Sequence, residues 1–254
     1  MKNILANITL SKIKWKLLYI IRGFFYLFGK NWNDFYGWML DYQDRKIDLD
    51  MILSREPSPK KFKGLWDWHR GEYFLKYIER HGFKKNHTIF DLGCGYGRAT
   101  IPILNYINED GFYIGSEISK KRINIAQDWI KKEKLNNKNY EIFYSKDNSL
   151  NFIENNSLDI VWIFSVLNHM PDDVINEIIE SLFIKMKTNA LLFAYFLTPD
   201  PNLKPSVKTF LRTEKYMEEL FTNKGFTFKK MDDYDDDYDK ENIAKYSRMY
   251  IAKK

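Results

Sequence analysis

The segment Thr88-Ile-Phe-Asp-Leu-Gly-Cys-Gly-Tyr-Gly-Arg98 decides the fold, because an apolar strand runs into a glycine-rich turn that opens a helix. That is the layout of a nucleotide-type cofactor site. Gly93, Gly95 and Gly97 permit positive φ and let backbone amides approach a ligand where a Cβ would clash. The spacing is Gly-x-Gly-x-Gly, with Arg98 where a dinucleotide fingerprint has its third glycine. A carboxylate at the strand end, Asp91, would repel a pyrophosphate through a poorly screened medium and fits a cationic ligand better.

Asp91-Leu-Gly-Cys-Gly-Tyr-Gly97 resembles the first motif of the class I S-adenosylmethionine-dependent methyltransferases, acid-x-Gly-x-Gly-x-Gly. Their cofactor carries an ammonium and a sulfonium, so the acid makes chemical sense on its own terms. Downstream, Tyr113-Ile-Gly-Ser-Glu-Ile-Ser119 is a short apolar strand ending in an acid that can accept both ribose hydroxyls of an adenosine. The resemblance implies Glu117 as that ribose acid and Ile118 against one face of the adenine. It also implies that Asp147, after a third strand at 140–144, accepts from the adenine amino group, with Asn148 and Phe164 as further cofactor contacts. A loop aspartate such as Asp147 is also a common turn residue.

The run at 157–170 is too apolar for a surface strand and suits a central parallel one. A helix with apolar residues at Val174, Ile175, Ile178, Ile179, Leu182, Phe183 and Met186 follows, then a strand from Ala190 to Leu197. The family shows the same order, departing only at Thr188-Asn189, where a Gly-Gly pair is common. Ser119 and Thr213 read as helix N-caps and Gly225 as a helix end. Two last strands are expected near 226–231 and 248–252. The expected fold class is therefore α/β, a Rossmann-like doubly wound seven-stranded sheet whose last strand the resemblance makes antiparallel. Residues 63–254 form the methyltransferase domain, with a lid helix at 65–82, and residues 1–62 an aromatic-rich helical extension and linker.

The length of 254 residues suits one such domain plus an extension. The single cysteine, Cys94, excludes a disulfide framework and points to a reducing, cytoplasmic setting. No grouping of His, Cys and acids has metal-ligand spacing, so no metal is expected. Nucleic-acid binding is not expected either, since the net charge of +6 has no recognisable reading element. Residues 1–33 hold six Lys or Arg and no acid, whereas 232–241 hold seven acids in a segment that reads as a solvated loop.

Residues 15–28 are strongly apolar and aromatic, yet Lys16 and Arg22 interrupt them and they fall short of the roughly 20 residues needed to span a bilayer. No small-residue cleavage site follows, so a removed signal peptide is not expected. Three readings remain for the segment: a cap over an acceptor pocket, an oligomer contact, or an interfacial helix on anionic lipid through residues 12–29. The motif positions all lie after residue 87, so the extension is expected on the acceptor side, with a chain starting near Lys60 keeping cofactor binding. The oligomeric state is left open.

The segment Trp66-Asp-Trp-His-Arg-Gly-Glu-Tyr73 matches the place of the family's lid helix, where Arg70, Tyr73 or the competing Arg98 could reach the methionine carboxylate. A base for a hydroxyl acceptor is best sought at His169, with His69 second. The resemblance thus implies methyl transfer from S-adenosyl-L-methionine, leaving S-adenosyl-L-homocysteine. The acceptor expected is a small molecule, anionic and methylated on oxygen, given Lys60, Lys61, Lys63 and Arg70. The alternatives are a lipid or quinone acceptor at a membrane surface, or a non-catalytic cofactor-binding module.

Overall fold

The computed structural model describes residues 17–53, 70–199, 209–234 and 247–254. Among them seven strands form one sheet: β1 (Thr88–Leu92), β2 (Phe112–Glu117), β3 (Tyr140–Tyr144), β4 (Leu158–Phe164), β5 (Met186–Leu197), β6 (Thr227–Lys230) and β7 (Ser247–Lys253). Their order is β3-β2-β1-β4-β5-β7-β6. Strands β1 to β5 pair in parallel, and β7 runs antiparallel to both β5 and β6, as the sequence reading requires.

The apolar runs are continuous because both faces of the sheet are covered. Phe90 and Leu92 of β1, Val161 and Ile163 of β4, and Leu192, Ala194 and Phe196 of β5 point to one core. Ile89, Ile160, Trp162, Phe193 and Tyr195 alternate onto the other. Helices α7 (Asp172–Lys185) and α8 (Glu214–Thr222) cover the first face; α4 (Arg70–Arg80), α5 (Thr100–Tyr106) and α6 (Lys120–Lys132) cover the second. Ser119 caps α6 by accepting from the Arg122 amide at 3.2 Å, and Thr213 caps α8 by accepting from Tyr216 at 3.1 Å.

Two details differ from the sequence reading. Strand β5 begins at Met186, directly after α7, and not at Ala190. Within it Asn189 takes a left-handed φ of 67°, its N–H donating to the Lys254 carbonyl at 2.9 Å, so asparagine serves where a glycine pair is common. The N-terminal part holds helices at 17–27 (α1), Trp32–Gln43 (α2) and Leu49–Leu53 (α3). Helix α2 opens on a capping box between Asn31 and Asp34. Its buried Trp32, Phe35, Tyr36, Met39 and Leu40 share one core with the sheet, so α2 is built into the fold. The strand order reverses at β1, between β2 and β4, which places a crevice beyond the carboxyl ends of these strands.

Candidate cofactor and acceptor site

A cavity of ≈ 460 Å³ fills that crevice. The glycine turn forms its floor. Gly93, Gly95 and Gly97 have φ values of 77°, 59° and 92°, but they do different work. A Cβ on Gly93 would lie 2.5 Å from Val166 Cγ2, so that position packs the turn onto the loop after β4. A Cβ on Gly97 would press on Ala126 at 3.2 Å, and Gly97 does not line the cavity; it brings α6 close. Gly95 alone combines the strained φ with open space toward the cavity. The turn then releases α5, as read from the sequence.

Two acids sit buried beside this turn. Glu117 accepts from the backbone amides of Gly95 at 3.1 Å, Ile118 at 2.7 Å and Ser119 at 2.9 Å, so it braces the turn as well as facing the cavity. Burial raises its pKa, opposed by the Arg122 charge and those amides. Asp91 accepts from the Tyr113 hydroxyl at 2.9 Å, which is itself 2.7 Å from Thr100 Oγ1. Burial pushes the Asp91 carboxyl up to about 7, against the Tyr113 hydrogen bond and with the help of the Glu117 charge. A cavity floored by two desolvated carboxylates favours a cation over a pyrophosphate. The thiol of Cys94, buried in the same turn, is pushed well up and held protonated, which suits packing and not nucleophilic chemistry.

The raised Asp91 predicts a pH dependence. Alone it favours the folded state below the ordinary carboxylate range and loses that contribution as pH climbs from 3.8 to about 7. A cationic ligand prefers the ionised form, so its affinity should rise about tenfold per pH unit up to the folded pKa and level off above it. Calorimetry at several pH values should show this slope in the parent and its loss in Asp91→Asn. Equal slopes in the two proteins would remove Asp91 from the site.

The remaining positions divide. Ile118, Asp147, Asn148, Phe164 and Arg98 line the cavity. Asp147 is also a turn residue, its Oδ1 accepting from the Ser149 amide at 2.9 Å and hydroxyl at 2.6 Å, which lowers its pKa. Tyr73 is not among the lining residues; its ring stands edge-on to Tyr234 at 5.5 Å. His69, Lys60, Lys61 and Lys63 lie outside the described residues, as does the Arg70 side chain. Gly71 of α4 packs on the Arg98 carbonyl, and Phe74 of α4 lines the cavity.

The sequence reading missed the wall contributed by α2. Asn33 Nδ2 donates to the Lys146 carbonyl at 2.9 Å and to Asn148 Oδ1 at 2.7 Å, and Gly37 packs on the Ile118 carbonyl. Asp41 accepts from Ser119 Oγ at 2.6 Å and from the Lys121 amide at 3.1 Å, while Asp44 pairs with Arg122 at 2.7 Å. Of these, Ile118 and Asn148 are positions expected to hold the cofactor, and the others flank the expected acids Glu117 and Asp147. The expectation that the cavity is built without the N-terminal extension is therefore overturned: Trp32, Asn33, Tyr36 and Leu40 of α2 line it. The signal was present in Asn31-x-x-Asp34 followed by apolar Trp32, Phe35, Tyr36, Met39 and Leu40 at helical spacing, but only the tertiary contacts show which edge it meets.

Also lining the cavity, His169 closes a 3₁₀ turn (Leu167–His169) after β4. Its ring stacks on Tyr36 at 5.5 Å, and its carbonyl accepts from Trp32 Nε1 at 3.0 Å. Its Nε2 is 3.3 Å from the Asn168 amide nitrogen, while Asn168 Oδ1 is buried with no partner among the described residues. Ser165, with φ 59°, lines the cavity between Phe164 and Val166 and was also missed, since nothing in a serine marks a left-handed turn.

Residues 89–189 match the family described as methyltransferase domain. The fold is similar to a SAM-dependent methyltransferase from Aquifex aeolicus, at 18% identity over 82% of this chain and 98% of that one, with a TM-score of 0.57. It is similar to magnesium protoporphyrin IX methyltransferase from Synechocystis PCC 6803 with bound SAM, at 18% identity, 81% and 88% coverage and a TM-score of 0.58. The [4+2]-cyclase SpnF is similar at 14% identity, 87% and 96% coverage and a TM-score of 0.63. Two buried acids, an open glycine and an aromatic and polar lining are chemically suited to S-adenosylmethionine, and Asp91, Gly95, Glu117, Ile118, Asp147 and Asn148 are among the residues that would hold it. Residues 89–189 thus match a methyltransferase domain, and the chain shares its fold with these solved proteins.

Proposed function

We propose that this methyltransferase acts on a small-molecule acceptor, anionic and methylated on oxygen, in a cytoplasmic setting. The observation that carries the reading is His169, held by Tyr36 and Trp32 in the lining of the same cavity as the glycine turn. The cofactor supplies an electrophilic methyl group on a sulfonium. The protein supplies placement, exclusion of water and a base for the hydroxyl proton. Imidazole suits that role because its ordinary pKa lies near neutrality. Asn168 bears on the tautomer: its Nδ2 stands 3.3 Å from Nε2 and donates to it, which leaves the ring proton on Nδ1 and the lone pair on Nε2. Arg98 lines the same cavity and suits an anionic group on the acceptor or the cofactor's carboxylate.

His169→Ala should leave S-adenosylmethionine affinity within about twofold and lower kcat by roughly 10²- to 10⁴-fold on the true acceptor. A panel of phosphorylated, nucleotide-linked and sugar-type hydroxyl acceptors, followed by release of S-adenosylhomocysteine, measures it. Unchanged turnover in the variant would leave catalysis to placement alone. A second reading, a lipid or quinone acceptor, is favoured by the apolar helix α1, which packs beside the Trp32 wall; Phe25 of α1 meets Phe35 at 5.9 Å and Trp38 at 5.7 Å. Such acceptors belong in the same panel, presented in vesicles.

A further inference from the structure

Helix α1 carries apolar side chains on two faces. Leu18, Ile21 and Phe25 pack on the core. Leu17, Ile20, Phe24, Leu27 and Phe28 recur at helical spacing on another face and remain 54%, 57%, 54%, 81% and 77% exposed. Trp38 and Tyr42 of α2 extend this surface, stacked on each other at 6.0 Å, and Tyr19 and Tyr26 flank it. A contiguous patch of large apolar side chains left in water marks a contact surface.

Charge identifies the occupant. Among the described residues, those at 17–33 carry Arg22 and Lys30 and no acid, and Arg45 adds a guanidinium 4.2 Å from the Tyr42 ring. The nearest acids of α2 are turned to the protein, Asp34 to Lys146 at 2.8 Å and Asp41 to Ser119. A second copy would meet this patch through a two-fold axis, bringing like charge onto like charge. An anionic bilayer surface neutralises the charge and takes up the apolar stripe, with Trp and Tyr rings suited to the headgroup level. Among the described residues no helix is long and apolar enough to cross a membrane.

We propose that residues 17–28, with Trp38 and Tyr42, dock the protein on anionic lipid, lying in the interface and not spanning it. The docking stands whatever the methyl acceptor is. It is tested by floating the full chain with vesicles of phosphatidylcholine alone and with vesicles of phosphatidylcholine and phosphatidylglycerol in equal parts. The full chain should float with the anionic vesicles only, and high salt should release it. Replacing the two most exposed residues, Leu27→Glu with Phe28→Glu, should weaken flotation at least about tenfold while leaving S-adenosylmethionine affinity and melting temperature unchanged. Absence of flotation, equal flotation on neutral vesicles, or an unaffected double variant would overturn the proposal. A dimer by light scattering that the double variant dissolves, with no flotation, would overturn it in favour of self-association.

Discussion

Gly95→Val should abolish S-adenosylmethionine binding, by more than about a hundredfold, in a protein that remains folded. At φ 59° a β-branched side chain is strained, and among the described residues beyond its chain neighbours its Cβ meets only Gly93 O, at 3.9 Å. The strain costs roughly 1 to 3 kcal/mol, a shift of several degrees in melting temperature, whereas the ligand loses its close approach to the backbone outright. Glu117 accepts from the Gly95 amide, so any rotation that relieved the strain would also release this buried acid. Gly93→Val should do the opposite: its Cβ meets Val166 inside the fold, and the cost falls on stability. Equal losses of stability in the two variants, measured by thermal melting beside calorimetry, would make the turn a structural element without a ligand.

Removing residues 1–53 should likewise eliminate cofactor binding. The deletion strips Asn33 from Asn148, Asp41 from the α6 cap and Asp44 from Arg122, and uncovers a core face that Trp32, Phe35, Tyr36, Met39 and Leu40 now fill. Because such a chain can fail to fold, a milder variant separates the effects. Gly37→Val adds a side chain where α2 touches the Ile118 carbonyl and should lift α2 from this wall of the cavity. Overpacking of this kind costs about 1 to 3 kcal/mol, so affinity should fall about ten- to hundredfold in a folded protein. Full cofactor affinity in both proteins would return the N-terminal part to the acceptor side alone.

The sheet was legible because its strands are buried on both faces and its turns carry their own chemistry. Asp91 to Gly97 announced the cofactor turn, Ser119 and Thr213 announced their helices, and the alternation of strands and helices pointed to a doubly wound sheet whose antiparallel last strand the resemblance implied. What escaped were facts of tertiary placement. Gly97 looks like Gly95 in sequence, and only the approach of Ala126 shows that it serves packing. Helix α2 advertised its cap and its apolar face, but nothing local says that Asn33 and Asp41 meet residues more than seventy positions away. Tyr73 matched the lid by position and packs on Tyr234 instead, because aromatic burial on the sheet's second face outweighs exposure to a cavity.

The most direct measurement is a calorimetric titration of S-adenosylmethionine, and of S-adenosylhomocysteine, into the full chain at a pH above the Asp91 transition, with Gly95→Val run beside it. One molecule of either should bind per chain, with no heat from NAD and none from the variant. No binding of either compound, or equal binding to the variant, would contradict the assignment of this cavity.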